Sequence, residues 1–152
     1  MNAQGDTKLV YPGLAGFYTN WNDIAFTAVR VIVGYIVFMH GWAKVKAGAA
    51  GVAAFMAKNG LEPGLAFAYA AIFLETVGAI CIILGLFTRF FAAALAIEML
   101  IGLFAVHWAH GFWYNAKSGG FEYILLIGVV MFAIAIRGGG PYSVDRAIGK
   151  EL

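Results

Sequence analysis

Residues 24–45 read IAFTAVRVIVGYIVFMHGWAKV, an unbroken apolar run whose ionisable residues are Arg30, His40 and Lys44. Wound as an α-helix, a run of this length rises about 33 Å and crosses roughly 30 Å of hydrocarbon. A strand of an outer-membrane barrel would need about ten residues of alternating character, and this run is continuous over about twice that length. The short polar side chains of Asn22 and Asp23 suit a helix N-cap, so a membrane helix is expected from about Ile24 to Val45.

Three further stretches repeat the pattern. Residues 65–87 follow the breaker Glu62-Pro63-Gly64, and residues 90–109 follow a turn at Thr88-Arg89. Residues 121–136 form a fourth stretch, short for the bilayer unless its ends lie in the interface, and Gly138-Gly139-Gly140-Pro141 stops it. Between the first two runs, Ala49 to Lys58 is small and amphipathic and reads as a helix lying in the interface. The expected fold is all-α: an integral membrane four-helix bundle forming one domain over residues 1–152, with a short interfacial helix between helices one and two.

Composition agrees. Of 152 residues, 62% are hydrophobic and 12% charged, against about 45–50% and about 25% in an ordinary soluble domain. A water-soluble sphere of this size could not hide so much apolar surface. The net charge of +2 excludes a nucleic-acid binder working through a basic face. Cys81 is the sole cysteine, so the chain has no intramolecular disulfide, CxxC pair or multi-thiolate metal site, and no metal is assigned. The first twenty-odd residues hold one lysine and no compact apolar core behind a basic region, so the first helix is expected to stay in the mature protein.

Four spans place both termini on one side with Lys8, Arg89, Arg137, Arg146 and Lys150. The other side carries Lys44, Lys46, Lys58 and Lys117, a narrow balance in favour of cytoplasmic termini. Trp42, Trp108, Trp113 and Tyr114 fall on that opposite side as half of an interfacial belt.

The residues that bear on function are those a membrane should exclude: Arg30, His40, Lys44, Glu75, Glu98, His107 and Glu122. Each charge at bilayer depth costs about 2.5 kcal/mol or more, so these side chains are expected to face the bundle interior or a wet cavity. On an ideal helix Arg30, His40 and Lys44 share an arc of about 80° that also holds Gly34, Val37 and Gly41. Counting depth pairs Glu98 with Arg30 and sets Glu75 between Arg30 and His40. Such a pair would serve equally well to fix helix register.

His40, Lys44 and Glu122 gather near the far interface beneath the tryptophans, a shallow polar pocket of the kind a ring-shaped amphiphile needs. Taken singly, Lys44 would snorkel to the headgroups and Glu122 would complement a helix N-terminus. His107 follows Glu98 by nine residues, about 180° away on an ideal helix, so the two share a cavity only if a bulge intervenes. A haem or metal site built from His40, His107, Glu75 and Glu122 is awkward for the same reason. His110 receives no role.

Arg30 is followed by His40-Gly41-Trp42-Ala43-Lys44, then by Glu75 and Gly78 and by Leu84-Gly85-Leu86-Phe87-Thr88-Arg89. The series continues through Glu98, His107, Gly120-Phe121-Glu122-Tyr123 and Gly138-Gly139-Gly140-Pro141-Tyr142-Ser143-Val144-Asp145. In the order and spacing of these elements, from Arg30 to Asp145, the chain resembles the DoxX family of small four-helix membrane proteins. The resemblance implies a four-helix bundle in a bacterial inner membrane, among relatives that serve quinone-linked complexes, including a thiosulfate:quinone oxidoreductase, or accompany thiol-redox and oxidative-stress systems.

Two functions follow as expectations. In the first, the chain is a quinone-binding subunit of an oxidoreductase, with Arg30, His40, Lys44, Glu75, Glu98 and Glu122 as candidate binding residues. The ring would lie among His40, Lys44, Glu75 and Glu122 with its tail along the bundle, and a glutamate would carry the proton. With neither a dithiol nor a cofactor motif, electrons would come from a partner redox protein or a larger membrane complex. In the second, the chain is a non-enzymatic anchor or assembly subunit, alone or as a homo-oligomer, whose buried charges specify packing. A small-solute carrier ranks below both, because no helix shows the paired interruptions of a secondary transporter.

Overall fold

The computed structural model describes residues 8–115 and 119–151. Lys117, one of the cations in the charge balance, lies outside the described residues. All regular structure among those described is helical.

Helix α1 runs Ala15–Ala47 behind a 3-10 turn at Pro12–Leu14. It therefore starts nine residues before the expected Ile24, and Asn22 and Asp23 lie inside it rather than capping it. Their side chains have other partners: Asn22 donates to Asp23 at 3.3 Å, and Asp23 faces Arg137 at 3.6 Å. Gly48, at φ +79°, ends α1, and α2 follows directly over Ala49–Lys58, the short helix expected in that connection.

Helix α3 spans Gly64–Leu84, with a π turn at Leu74–Gly78. It stops short of the expected Phe87 because Gly85 adopts the left-handed conformation at φ +71°. Helix α4 spans Thr88–His110, α-helical to Gly102, π over Leu103–His107 and 3-10 over Trp108–His110. Helix α5 covers Glu122–Arg137, and the single-turn helix α6 covers Val144–Ile148.

By length and composition α1, α3 and α4 can each cross a membrane, whereas α5 has 16 residues. Large apolar side chains stand outward on every long helix, among them Ile32 at 58%, Phe104 at 60%, Leu126 at 61% and Phe132 at 62% exposure. So much outward apolar surface matches a lipid environment and not water.

Helix α4 packs most extensively on α5, α3 sits between α1 and α4, and α5 touches α1 to close the ring. The interior is filled by Val33, Val37, Ala79, Ile82, Leu95, Ile127, Met131 and Ile134. On α1 the buried residues are Arg30, Val33, Gly34, Val37 and Gly41, one stripe turned towards α3. Between α1 and α3 the approach is closer at Gly41 than at Gly34, and an added Cβ at Gly41 would collide with the Glu75 backbone carbonyl. Gly41→Ala is accordingly expected to destabilise the fold by about 1–3 kcal/mol through overpacking. Gly16→Ala, with open space around it, should leave the thermal unfolding midpoint in detergent unmoved.

Candidate functional site

The ionisable residues divide into two clusters about 21 Å apart along α1, one at Arg30 near its middle and one at Lys44 near its C-terminal end.

At the end bearing the chain termini, Arg30 is 1% exposed. Its Nη1 donates to the carbonyls of Ile82 at 2.6 Å and Ile83 at 2.9 Å, and its Nη2 to that of Tyr142 at 2.7 Å. A guanidinium thus meets the last turn of α3, where carbonyls lack helical partners and the dipole is negative. A Cβ on Gly85 would sit 2.7 Å from Nη1, so the turn requires glycine for space as well as for its positive φ.

Asp145, 3% exposed, completes this cluster. Its carboxylate accepts from the backbone N–H of Phe87 at 2.7 Å and of Thr88 at 2.9 Å, and from the Thr88 hydroxyl at 2.6 Å. It thereby caps α4 from across the chain. Its own N–H donates to the Gly85 carbonyl at 2.9 Å. The expected Arg30–Glu98 pair does not form. Depth counting weighs carboxylates alone as partners for the arginine, and the carbonyls at a helix end satisfy it instead.

At the other end, Lys44 forms an ion pair with Glu75, the two side chains 27% and 7% exposed. Glu75 is thus level with Lys44 rather than between Arg30 and His40. It occupies the π turn of α3, packed against Gly41 of α1. Glu98 stands beside Glu75 and in the field of Lys44, and its Oε2 is buried with no hydrogen-bond partner. Glu75 alone contacts the ammonium, and Glu98, expected at the binding site, is not among the residues that line the adjoining cavity.

A cavity of about 210 Å³ opens on this group, lined by His40, Lys44, Glu75, His107, Tyr114 and Tyr123 together with Ile36, Val37, Met99, Gly120, Ile124 and Ile127. The Tyr123 hydroxyl is 3.5 Å from His40 Nε2, and the Tyr114 ring lies 5.9 Å from that of Tyr123. His107 Nδ1 donates to the Gly119 carbonyl at 2.5 Å.

The π turn at Leu103–His107 explains how His107 reaches the cavity. An extra residue in one turn rotates everything after it by about 100°, removing the opposition to Glu98 that an ideal helix imposes. Glu122 plays a different part from the one expected: it does not line the cavity, and its Oε1 accepts from the N–H of Tyr114, which does, at 2.8 Å. Tyr114 and Tyr123 are not among the residues expected at the site. Tyr123 carries a faint signal, one helical turn before the core residue Ile127, whereas Tyr114 reaches the cavity through loop geometry that no periodicity encodes.

This cavity offers hydrogen-bond donors, acceptors and a charge pair. Among the described residues no group of three or more His, Cys, Asp or Glu is arranged to hold a metal ion.

The DoxX family model matches residues 25–108. The chain is 31% identical to "Putative oxidoreductase CatD" of Bacillus subtilis over 74% of its own length and 79% of that protein. It is 30% identical to "Inner membrane protein YqjF" of Escherichia coli over 85% and 95%. No solved structure matches it significantly.

Proposed function

The chain belongs to the DoxX family, and from that premise we propose that it is the membrane subunit of a quinone-linked oxidoreductase system, holding a quinone or quinol ring in the Lys44–Glu75 cavity. The observation that carries this reading is the Lys44–Glu75 ion pair at the wall of a cavity otherwise formed by two histidines and by aromatic and aliphatic side chains. At about 210 Å³ the space is below the roughly 300 Å³ of a drug-sized site, which suits a single ring.

A bound quinone would supply the redox chemistry, taking up electrons and protons in equal number. Lys44 and His40 are the donors suited to a ring carbonyl oxygen, with Tyr123 adjoining His40. A glutamate relays the protons that reduction consumes, and Glu75 is the one on the cavity wall. The electrons come from a partner redox protein, because Cys81 is a lone thiol. The name of the Escherichia coli relative supports a bacterial inner-membrane location. In that setting α1, α3, α4 and α5 form four spans with cytoplasmic termini, and α2 lies in the interface.

Purification in mild detergent followed by solvent extraction tests the reading. Wild type should carry quinone, and His40→Ala and Glu75→Gln should each retain about tenfold less, the loss of one charged or ring hydrogen bond. The competing reading, an anchor whose buried charges only tie helices together, gains from the Arg30–Asp145 cluster, where buried charge does just that. It prevails if wild type and both variants carry no quinone while the same partner protein co-purifies with all three.

A further inference from the structure

The head-group cavity abuts a second, larger cavity. Along the α4–α5 seam runs an apolar groove of about 580 Å³, and Met99 and Ile124 line both spaces. From Ile124 the groove follows α5 as far as Ile136, about 18 Å of helix. Small side chains, Ala93, Ala96 and Gly128 among them, leave the seam open.

Two of the residues that line the head-group cavity, Tyr114 and Gly120, lie in stretches that are tied together. The Phe121 N–H donates to the Gly111 carbonyl and the Glu122 N–H to the Phe112 carbonyl, each at 3.0 Å. The Glu122 carboxylate holds the Tyr114 N–H at 2.8 Å, and His107 holds Gly119. Phe112 packs edge-on against Phe121, which stacks on Trp108 at 5.1 Å. These ties fasten residues 107–114 to residues 119–122.

We infer that the ligand of this site is a long-tailed, membrane-dissolved quinone whose isoprenoid chain lies in the α4–α5 groove, and that it enters sideways from the bilayer past Met99 and Ile124. The inference rests on the quinone reading and adds the tail site and the route. Two observations carry it together: a cavity too small for more than a ring, and an apolar groove that shares Met99 and Ile124 with it. A water-soluble quinone would need neither groove nor lateral opening.

The test uses the full chain in nanodiscs of quinone-free phosphatidylcholine. Binding of a decyl-tailed benzoquinone is compared with binding of its tail-less counterpart. Ala93→Phe and Val129→Trp fill the groove from exposed positions, so folding is preserved. Each should weaken the tailed ligand about tenfold, since bulk replaces the chain's contacts, and leave the tail-less ligand unchanged. Glu75→Gln should weaken both. Partition into the bilayer cancels, because wild type and variants are read in identical discs.

Equal affinities for the tailed ligand in wild type and groove variants, with Glu75→Gln still weakening both ligands, would overturn the tail site and leave the head site standing. Binding of neither ligand by wild type would instead overturn the quinone reading. Altered co-purifying phospholipid in the groove variants, with unchanged quinone binding, would assign the groove to a bilayer acyl chain and overturn the inference.

Discussion

Asp145→Ala is expected to lower stability by about 3–5 kcal/mol. The substitution leaves the Phe87 and Thr88 amides and the Thr88 hydroxyl without their acceptor, and an unmet buried donor costs about 1–3 kcal/mol. It also removes the carboxylate nearest the buried Arg30 guanidinium, and stripping one partner from buried charges carries a cost of the same order. Asp145→Asn retains an acceptor oxygen for one or two of the donors and should fall between. Thermal unfolding in detergent reads the difference. Quinone bound per folded molecule should not change, because Arg30 and Lys44 are about 21 Å apart along α1. An unfolding midpoint for Asp145→Ala equal to that of wild type would refute the structural role assigned to this cluster.

That role is half legible in the sequence. Residues 84–89 and 138–145 stand out as motifs, and apolar run length locates every long helix to within a few residues except the start of α1. The start is missed because Asn22 and Asp23 look like caps, yet a helix interior tolerates polar side chains that find partners such as Arg137. Pairing is harder to read than position. Arg30 invites a carboxylate in any count of charges, but backbone carbonyls at a helix end carry no residue identity, so the sequence cannot advertise them as partners.

The π turns are hidden for a related reason. Leu74–Gly78 and Leu103–His107 have no composition that sets them apart from α-helix, and each shifts the phase of the helical residues beyond it. Glu75 lies within one of them and His107 within the other. Ideal periodicity therefore fails at the residues that converge on the cavity, where irregular helical turns are enriched at functional sites.

Replacing Lys44 and Glu75 singly and together should give an asymmetric result that separates chemistry from packing. Lys44→Met leaves the Glu75 carboxylate, 7% exposed, without its cation beside a second carboxyl, and should destabilise by about 3 kcal/mol. Glu75→Leu leaves an ammonium whose side chain is already 27% exposed and whose long stem can carry it to the headgroups, so its cost should stay within about 1 kcal/mol. The double variant should match Glu75→Leu rather than sum the two losses, because substituting both members of a buried pair by apolar groups is often neutral. All three should lose quinone from extracts of the purified protein. A double variant as stable as wild type yet empty of ligand would show that the pair adds nothing to the fold that leucine and methionine could not, leaving ligand chemistry as its physical reason for being there. Retention of quinone by that variant would sink the assignment of the Lys44–Glu75 cavity as the head-group site.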